Sequence, residues 1–344
     1  MTTPDSYQVP DCYRQWIDQQ TIDFIDRTVA FYPVDTISAS ITRQREIYDA
    51  LCREFGTKLP KQVAWHDKVV DVADGSDVNV RCYSCAGQNP LDPTIIYMHG
   101  GGFVVGGLES HHDVCAEFCL QTGFDLVSVD YRLSPEHSHP AALNDVLAVV
   151  GMVSRCGKPI ILCGDSAGGN LVAAATAACR DEVSLAGAIA AQVLIYPGLG
   201  GDCLPKVMDE IAAFQSGAVP QSVSSYTNHA YAPMLTLEEV LFYREIRLPA
   251  GGLDKLPVEQ ATLAPLLAEH FEGLPPTVCF GARCDPLHDD GQWYCDAIIG
   301  AGGKASFISE AGMVHGYLRA RNSVERASAS FKRMVEALKN SVTG

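Results

Sequence analysis

Residues 159–170 read Pro-Ile-Ile-Leu-Cys-Gly-Asp-Ser-Ala-Gly-Gly-Asn, an apolar run that leads into a glycine-rich turn centred on Ser166. The small apolar residues at 171–179 continue as a helical pattern, so the whole stretch predicts a strand, a tight turn and a helix. Gly164 and Gly168 leave the room that a strained backbone needs. The start of the helix supplies unpaired N–H groups and a positive dipole end behind Ser166. We therefore predict that Ser166 is a nucleophile at a strand end, the alternative being an incidental serine in a glycine-rich turn.

Outward from this stretch, short apolar runs alternate with helical patterns in the order of a doubly wound sheet. The predicted strands are 94–98, 125–129, 159–163, 192–196, 277–282 and 305–309. The predicted helices are 112–121, 141–153, 168–180, 290–299 and 323–338. This order predicts an α/β fold with a mostly parallel sheet and a site at the carboxyl ends of its strands.

Two segments do not follow the alternation. Residues 1–56 are helical and amphipathic, and residues 201–263 carry Pro, Gly and Ser punctuation around a helical stretch at 237–246. We predict that they form a helical cap over the strand ends. The core is then built from residues 57–200 and 264–344.

A second glycine motif, His99-Gly100-Gly101-Gly102-Phe103, directly follows the predicted strand 94–98. Fixed backbone N–H groups can stabilise the negative charge that develops on an ester carbonyl oxygen, and the loss of one donor costs about 3 to 4 kcal/mol. We predict an oxyanion hole formed by the N–H groups of Gly101, Gly102 and Ala167. The glycine spacing matches no nucleotide-binding loop, and His99 is predicted to be a structural donor within the turn.

A serine nucleophile needs a base and a carboxylate that orients the base, in the chain order Ser, acid, His for this topology. Asp285 and His315 each follow a predicted strand, which makes them the candidates. Asp289 and Asp290 compete for the acid role, or they could cap the helix predicted to begin near residue 291.

Composition limits the partners and the compartment. The net charge of −16 disfavours nucleic acid and anionic membrane surfaces. The thirteen cysteines are odd in number and irregularly spaced, so we expect free thiols. Cys82 and Cys85 form a single Cys-x-x-Cys motif on an alternating strand pattern, which would place their side chains on opposite faces. Because we find no signal peptide and no apolar stretch of about 18 residues, we expect a soluble, cytoplasmic protein.

Together these residues resemble the hormone-sensitive-lipase-like carboxylesterases, the branch that carries Gly-Asp-Ser-Ala-Gly and includes bacterial acetyl esterases. The resemblance runs from about Thr94 to the C-terminus. Besides the two glycine motifs, it covers residues 130–137, 140–143, 232–234, 274–276 and 285–287. Ser134, Ser138 and His139 stand where family members more often carry Ala, Pro and Phe.

The resemblance implies an α/β-hydrolase fold with a helical cap and hydrolysis of short-chain acyl esters of small molecules. The resemblance assigns the same triad and oxyanion hole. It also implies no metal and no organic cofactor, and many relatives pair as homodimers. Two alternatives stay open: cleavage of an amide by the same triad, and a non-enzymatic small-molecule receptor, whose triad histidine is replaced in known cases.

Overall fold

The centre of the molecule is an eight-stranded sheet in the order β1-β2-β4-β3-β5-β6-β7-β8. The computed structural model describes residues 9–32, 36–87, 89, 91–220, 222–255 and 259–341. The strands are β1 Val63–Asp71, β2 Asp77–Cys85, β3 Thr94–Met98, β4 Asp125–Asp130, β5 Ile160–Asp165, β6 Ile189–Ile195, β7 Thr277–Cys284 and β8 Ala305–Val314. Strand β2 is antiparallel to both of its neighbours, and all other pairs are parallel. The predicted α/β fold with a mostly parallel sheet is confirmed.

All six predicted strands are present; only β3 has the predicted bounds, and β6 and β8 differ from them most. Strand β8 continues five residues beyond the predicted end because, after an irregularity between Ala282 and Cys284, β7 pairs with β8 again at Val314. Strand β6 begins earlier, at Ile189, and ends before Tyr196, whose φ of 34° takes the chain out of the extended conformation. Both changes shift the strand ends that approach the site.

Eleven α-helices lie in the described part of the chain. They are α1 Asp11–Arg14, α2 Gln19–Val29, α3 Ile41–Phe55, α4 His112–Thr122, α5 Ala141–Ser154, α6 Ala167–Asp181, α7 Pro205–Gln215, α8 Ser225–Asn228, α9 Leu237–Glu245, α10 His288–Gly300 and α11 Glu325–Asn340. Short 3₁₀ turns occupy Thr36–Ser38, Gly201–Cys203, Leu253–Lys255, Gln260–Thr262, Pro265–Leu267 and Tyr317–Ala320. The helices predicted to cross between the strands correspond to α4, α5, α6, α10 and α11.

Each face of the sheet has its own hydrophobic core. One core joins α2, α4 and α11 to the sheet, and the other joins α5, α6 and α10 to it. Cys85 packs against the first core and Cys82 against the second, so their side chains point to opposite faces as predicted. All thirteen cysteines are free thiols.

The two segments outside the alternation lie beside the carboxyl ends of the strands. Helices α1 to α3 come from residues 1–56, and helices α7 to α9 come from residues 201–263. The second group has a small core of its own, which includes Ile211, Tyr226, Leu237 and Leu287. Helix α9 begins with a capping box between Thr236 and Glu239. Within the described residues, no helix combines the length and the hydrophobicity needed to span a membrane.

Candidate active site

Ser166 lies in the tight turn between β5 and α6. Its φ of 54° is in a region that non-glycine residues rarely adopt. Although Ser166 occupies the N-cap position of α6, its hydroxyl makes no cap hydrogen bond, so it stays available to another partner. Gly168 is required behind it, because a Cβ at that position would lie 2.0 Å from the carbonyl oxygen of Met98.

The hydroxyl of Ser166 meets the imidazole of His315 at the carboxyl edge of the sheet. Ser166 Oγ lies 2.8 Å from Nε2 of His315, and Nδ1 of His315 lies 2.7 Å from Oδ2 of Asp285. Asp285 is fully buried and follows β7 directly, while His315 follows β8. The other carboxylate oxygen of Asp285 accepts the N–H of Leu287 at 2.9 Å, which fixes the orientation of the carboxylate. The arrangement has the geometry of an acid, base and nucleophile chain.

The two competing aspartates make other contacts. Asp290 is buried and accepts the N–H of Leu199 at 2.6 Å and the hydroxyl of Tyr226 at 2.8 Å. Burial raises the pKa of Asp290 to about 8. Asp289 accepts the N–H of Ser225 at 2.8 Å. Helix α10 begins at His288, so neither aspartate occupies its N-cap. The structure brings Asp285, and neither of its competitors, to the histidine.

The glycine motif that follows β3 borders the same site. The N–H of Gly100 donates to Asp165, whereas the N–H groups of Gly101 and Gly102 have no acceptor among the described residues. Ala167 is the first residue of α6, where a backbone N–H has no partner within the helix. Gly102 has φ of 59°, and a Cβ there would lie 2.3 Å from the ring of Tyr243 on α9. Helix α9 therefore packs directly on the loop that carries the predicted oxyanion donors.

Asp165 connects the nucleophile turn to this loop, a role that the sequence reasoning did not assign. Its Oδ1 accepts the hydroxyl of Tyr97 at 2.7 Å and the N–H of Gly100 at 2.9 Å, and lies 3.3 Å from Nε2 of His111. Burial alone would raise the pKa of Asp165, but the neighbouring His111 and the hydrogen bond from Tyr97 hold it well below its usual range. The sequence feature that could have indicated this role is the position of Asp165 directly before Ser166.

His99 is packed inside the turn. Its ring stacks on Tyr131 with centroids 4.3 Å apart, and its Nδ1 lies 2.8 Å from the carbonyl oxygen of Gly100. Burial lowers the pKa of His99 to about 3, so the ring is neutral at physiological pH. This agrees with the structural role expected for it.

Ser166 and His315 open into a cavity of about 1640 Å³ that described residues of the segments 1–56 and 201–263 help to line. Four described non-glycine residues have positive φ, and all four line this cavity: Phe103, Ser166, Tyr196 and Met234. Strained backbone is concentrated where the site is built, as at many functional sites. No cluster of three potential metal ligands occurs among the residues that the structure describes.

Two arginines in the cavity wall were also missed from the sequence. Arg319 donates to the hydroxyl of Tyr48 at 2.7 Å, and that hydroxyl donates to the carbonyl oxygen of Gly100 at 3.4 Å. Arg247 is buried against Phe103. Nothing in the local sequence around either arginine signals its position, because Arg247 reaches the site through the packing of the segment 201–263 and Arg319 through the turn that follows β8.

Comparisons with known proteins agree with this geometry. A family model described as the alpha/beta hydrolase fold matches residues 95–319. Esterase LipI of Mycobacterium tuberculosis is 32% identical over 295 residues, which cover 82% of this chain and 85% of that protein. An ethyl acetate hydrolase of Pseudomonas putida is 29% identical over 282 residues, which cover 79% of this chain and 81% of that protein.

Among solved structures, the ester hydrolase EH1AB1 from the metagenome of Lake Arreo superposes with a TM-score of 0.80 and 25% identity. The superposition covers 95% of this chain and all of that one. The resemblance to hormone-sensitive-lipase-like carboxylesterases is thus confirmed, and the chain belongs to the alpha/beta hydrolase fold family.

Proposed function

We propose that this chain hydrolyses carboxylic esters through an acyl-enzyme on Ser166. The observation that carries the proposal is the unbroken chain of contacts from Ser166 to His315 at 2.8 Å and from His315 to Asp285 at 2.7 Å. Ser166 and His315 lie beside a cavity that Gly101 and Gly102 also line. The sequence relatives named above are an esterase and an ethyl acetate hydrolase. Together these observations support an enzyme and weigh against the receptor alternative.

In the first half of the reaction, Nε2 of His315 removes the hydroxyl proton as Ser166 Oγ bonds to the carbonyl carbon. Asp285 keeps the proton of the imidazole on Nδ1 and stabilises the imidazolium that forms. The carbonyl oxygen becomes negatively charged, and the N–H groups of Gly101, Gly102 and Ala167 are the donors that we assign to it. The carbon–oxygen bond to the alcohol then breaks, and the alcohol takes the proton from His315.

In the second half, a water molecule replaces the alcohol. His315 removes a proton from the water as the water oxygen bonds to the acyl carbon, and the same backbone donors stabilise the second tetrahedral intermediate. The bond to Ser166 Oγ breaks, the serine regains its proton from His315, and the carboxylic acid leaves.

Short-chain acyl esters of small molecules are the substrates that we propose. One relative is named for ethyl acetate, which has a two-carbon acyl group. In this chain the ring of Tyr243 packs on Gly102 and so reduces the space beside the proposed oxyanion site. The cavity as a whole, at about 1640 Å³, exceeds the range of about 300–1,000 Å³ that is usual for ligand sites, so local contacts must set the acyl preference.

The substitution Ser166→Ala tests the reaction. We expect kcat on 4-nitrophenyl acetate to fall about a millionfold while the circular dichroism spectrum stays unchanged. Ser184→Ala, at an exposed serine that bonds to Glu182, is the matched control and should keep the parent rate. Retention of a tenth or more of the activity in Ser166→Ala would rule out this nucleophile.

A panel of 4-nitrophenyl esters from acetyl to dodecanoyl, with 4-nitroacetanilide alongside, tests the substrate class. We expect kcat/KM to be highest for the short acyl chains and lowest for the anilide, because the relatives are named for ester hydrolysis. A preference for dodecanoyl would refute the short-chain proposal. A preference for the anilide would restore the amide alternative.

The remaining sequence predictions stay proposals. Residues 1–56 and 201–263 are proposed to form the cap over a core built from the other two segments. A cytoplasmic location and a homodimer are proposed on the resemblance, and the net charge of −16 supports the expectation of no nucleic acid partner. Light scattering during size exclusion would give the oligomeric state, and cell fractionation would give the location.

A further inference from the structure

Arg247 is a buried cation that lines the cavity containing Ser166 and forms no ion pair with the residues that the structure describes. It lies just beyond the C-terminus of α9, only 6% of its surface is exposed, and it lines the cavity wall. Its partners place it close to the reacting groups. The guanidinium carbon lies 3.4 Å from the ring centroid of Phe103, which directly follows Gly102.

A second contact fixes the guanidinium against the nucleophile helix. Nη2 of Arg247 donates to Oδ1 of Asn170 at 3.4 Å, and the N–H of Asn170 donates to the carbonyl oxygen of Ser166 at 3.2 Å. The cation therefore lies between the first turn of α6 and the residue after the oxyanion loop. A group bound to it would lie in the same cavity as a carbonyl at Ser166.

The hydrogen bonds of Arg247 leave much of its donor capacity unused. A guanidinium has five N–H donors, yet among the described residues Arg247 donates only to Asn170 and to the carbonyl oxygen of Leu263, both at 3.4 Å. In the described ranges, Arg247 has no ion pair, whereas Arg244, one turn earlier, lies 2.9 Å from Asp202 and 2.8 Å from Glu245. Burial lowers the pKa of Arg247 to about 9, which reflects the unfavourable free energy of a buried, unpaired charge.

The backbone of Arg247 is held in place as well. Its carbonyl oxygen accepts the N–H of His139 at 2.9 Å, and the ring of His139 contacts the hydroxyl of Thr262 at 2.9 Å. His139 is one of the residues at which this chain departs from the family pattern. The cation is therefore preorganised in a fixed frame.

We propose that Arg247 binds a carboxylate carried by the ester substrate, so that the preferred substrates are esters with an anionic group a few bonds from the scissile carbonyl. This inference rests on the proposed function. Asp202, the carboxylate that acts on Arg247, does not oppose it because it is paired with Arg244, and Glu239, which lines the same cavity, is bonded to Thr236. A planar guanidinium suits a carboxylate, which it can bind through two parallel hydrogen bonds.

The test compares matched anionic and neutral esters. On the acyl side, mono-4-nitrophenyl glutarate is paired with 4-nitrophenyl pentanoate. On the alcohol side, 4-carboxyphenyl acetate is paired with 4-carbamoylphenyl acetate. The measured quantity is the ratio of kcat/KM for the anionic ester to that for the neutral ester, and the pair that responds to substitution identifies the side on which the carboxylate is carried.

In Arg247→Met we expect this ratio to fall at least about tenfold in one of the two pairs, the loss expected for a charge-assisted hydrogen bond. Arg247→Lys should restore part of it. Arg43→Met is the control, because Arg43 also lines the cavity but its side chain is 58% exposed and pairs with Glu46. In this variant the ratio of kcat/KM for the anionic and neutral esters should stay within about twofold of the parent value. A ratio unchanged in both pairs for Arg247→Met would overturn the inference.

A measurement on the parent protein covers the case in which Arg247→Met does not fold. Glutarate should inhibit hydrolysis of the neutral ester competitively, at least about tenfold more tightly than glutaramide. Equal inhibition would also overturn the inference. If the parent hydrolysed neither the anionic nor the neutral esters, the proposed function itself would fail, a result distinct from a missing preference for anions.

Discussion

Replacing Asp165 by Asn should loosen the link between the nucleophile turn and the oxyanion loop. The carboxylate accepts bonds from Tyr97 at 2.7 Å and Gly100 at 2.9 Å and contacts His111 at 3.3 Å. A hydrogen bond to a charged group contributes about 1.5–3 kcal/mol, against about 0.5–1.5 kcal/mol for a neutral pair. With two short bonds weakened by about 1 kcal/mol each, the free energy of unfolding should fall by about 2 kcal/mol at pH 7.

The loss should depend on pH in a direction that follows from the lowered pKa of Asp165. A carboxyl whose pKa is lower in the folded state stabilises the fold above its unfolded pKa of about 3.9, and this contribution disappears as the pH falls towards the folded value. The difference in unfolding free energy between parent and Asp165→Asn should thus be full at pH 7 and should shrink below about pH 4.

Urea unfolding at several pH values measures this difference, provided that the slope m stays unchanged. Asp125→Asn is the control, because Asp125 pairs with Lys158 at 2.8 Å but its side chain is 31% exposed; we expect a loss below about 1 kcal/mol. We also expect kcat/KM to fall about tenfold in Asp165→Asn. The weakened bond would allow Gly100 to shift, and Gly100 directly precedes the proposed oxyanion donors. A variant as stable as the parent at pH 7, or a difference that does not change with pH, would refute the reasoning.

Two further pairs of substitutions test the site. Asp285→Asn should lower kcat about 10⁴-fold by allowing the wrong tautomer of His315, while Asp289→Asn should change kcat little; the reverse order in steady-state assays would show that the acid is misassigned. Gly102→Ala should lower kcat at least about tenfold, because the new Cβ would lie 2.3 Å from the ring of Tyr243, and Tyr243→Ala in the same chain should recover part of the rate; no recovery would count against the clash as the cause.

Much of the fold was predictable because its signals are local. Buried parallel strands are continuous apolar runs, and the turn around Ser166 is specified by residues within five positions of it. Strand β1 was not predicted, because it is an edge strand with most of its residues exposed, Trp65 and Val69 among them, and it lacks the alternation of a half-buried strand. Its pairing with β2 holds it in the sheet.

The site was predictable where chain order and strand ends determine position. Asp285 and His315 each follow a strand, and the parallel order of β5 to β8 brings those ends to one edge. The contacts of Arg247 with Phe103 and Asn170 link positions 144 and 77 residues apart in the chain, and no local pattern encodes such contacts. The packing of the segment 201–263 against the site therefore had to come from the structure.

The most direct test of the central claim is to label the protein with diethyl 4-nitrophenyl phosphate and to locate the adduct by peptide mass spectrometry. Attack by Ser166 Oγ on phosphorus expels 4-nitrophenolate and leaves a stable diethyl phosphoryl ester, because the phosphoryl group mimics the tetrahedral intermediate. We expect one nitrophenolate per chain, a single adduct on Ser166, complete loss of esterase activity and no labelling of Ser166→Ala. An adduct on another residue that accompanies the loss of activity, or full activity in a protein labelled at Ser166, would contradict the assignment of the nucleophile.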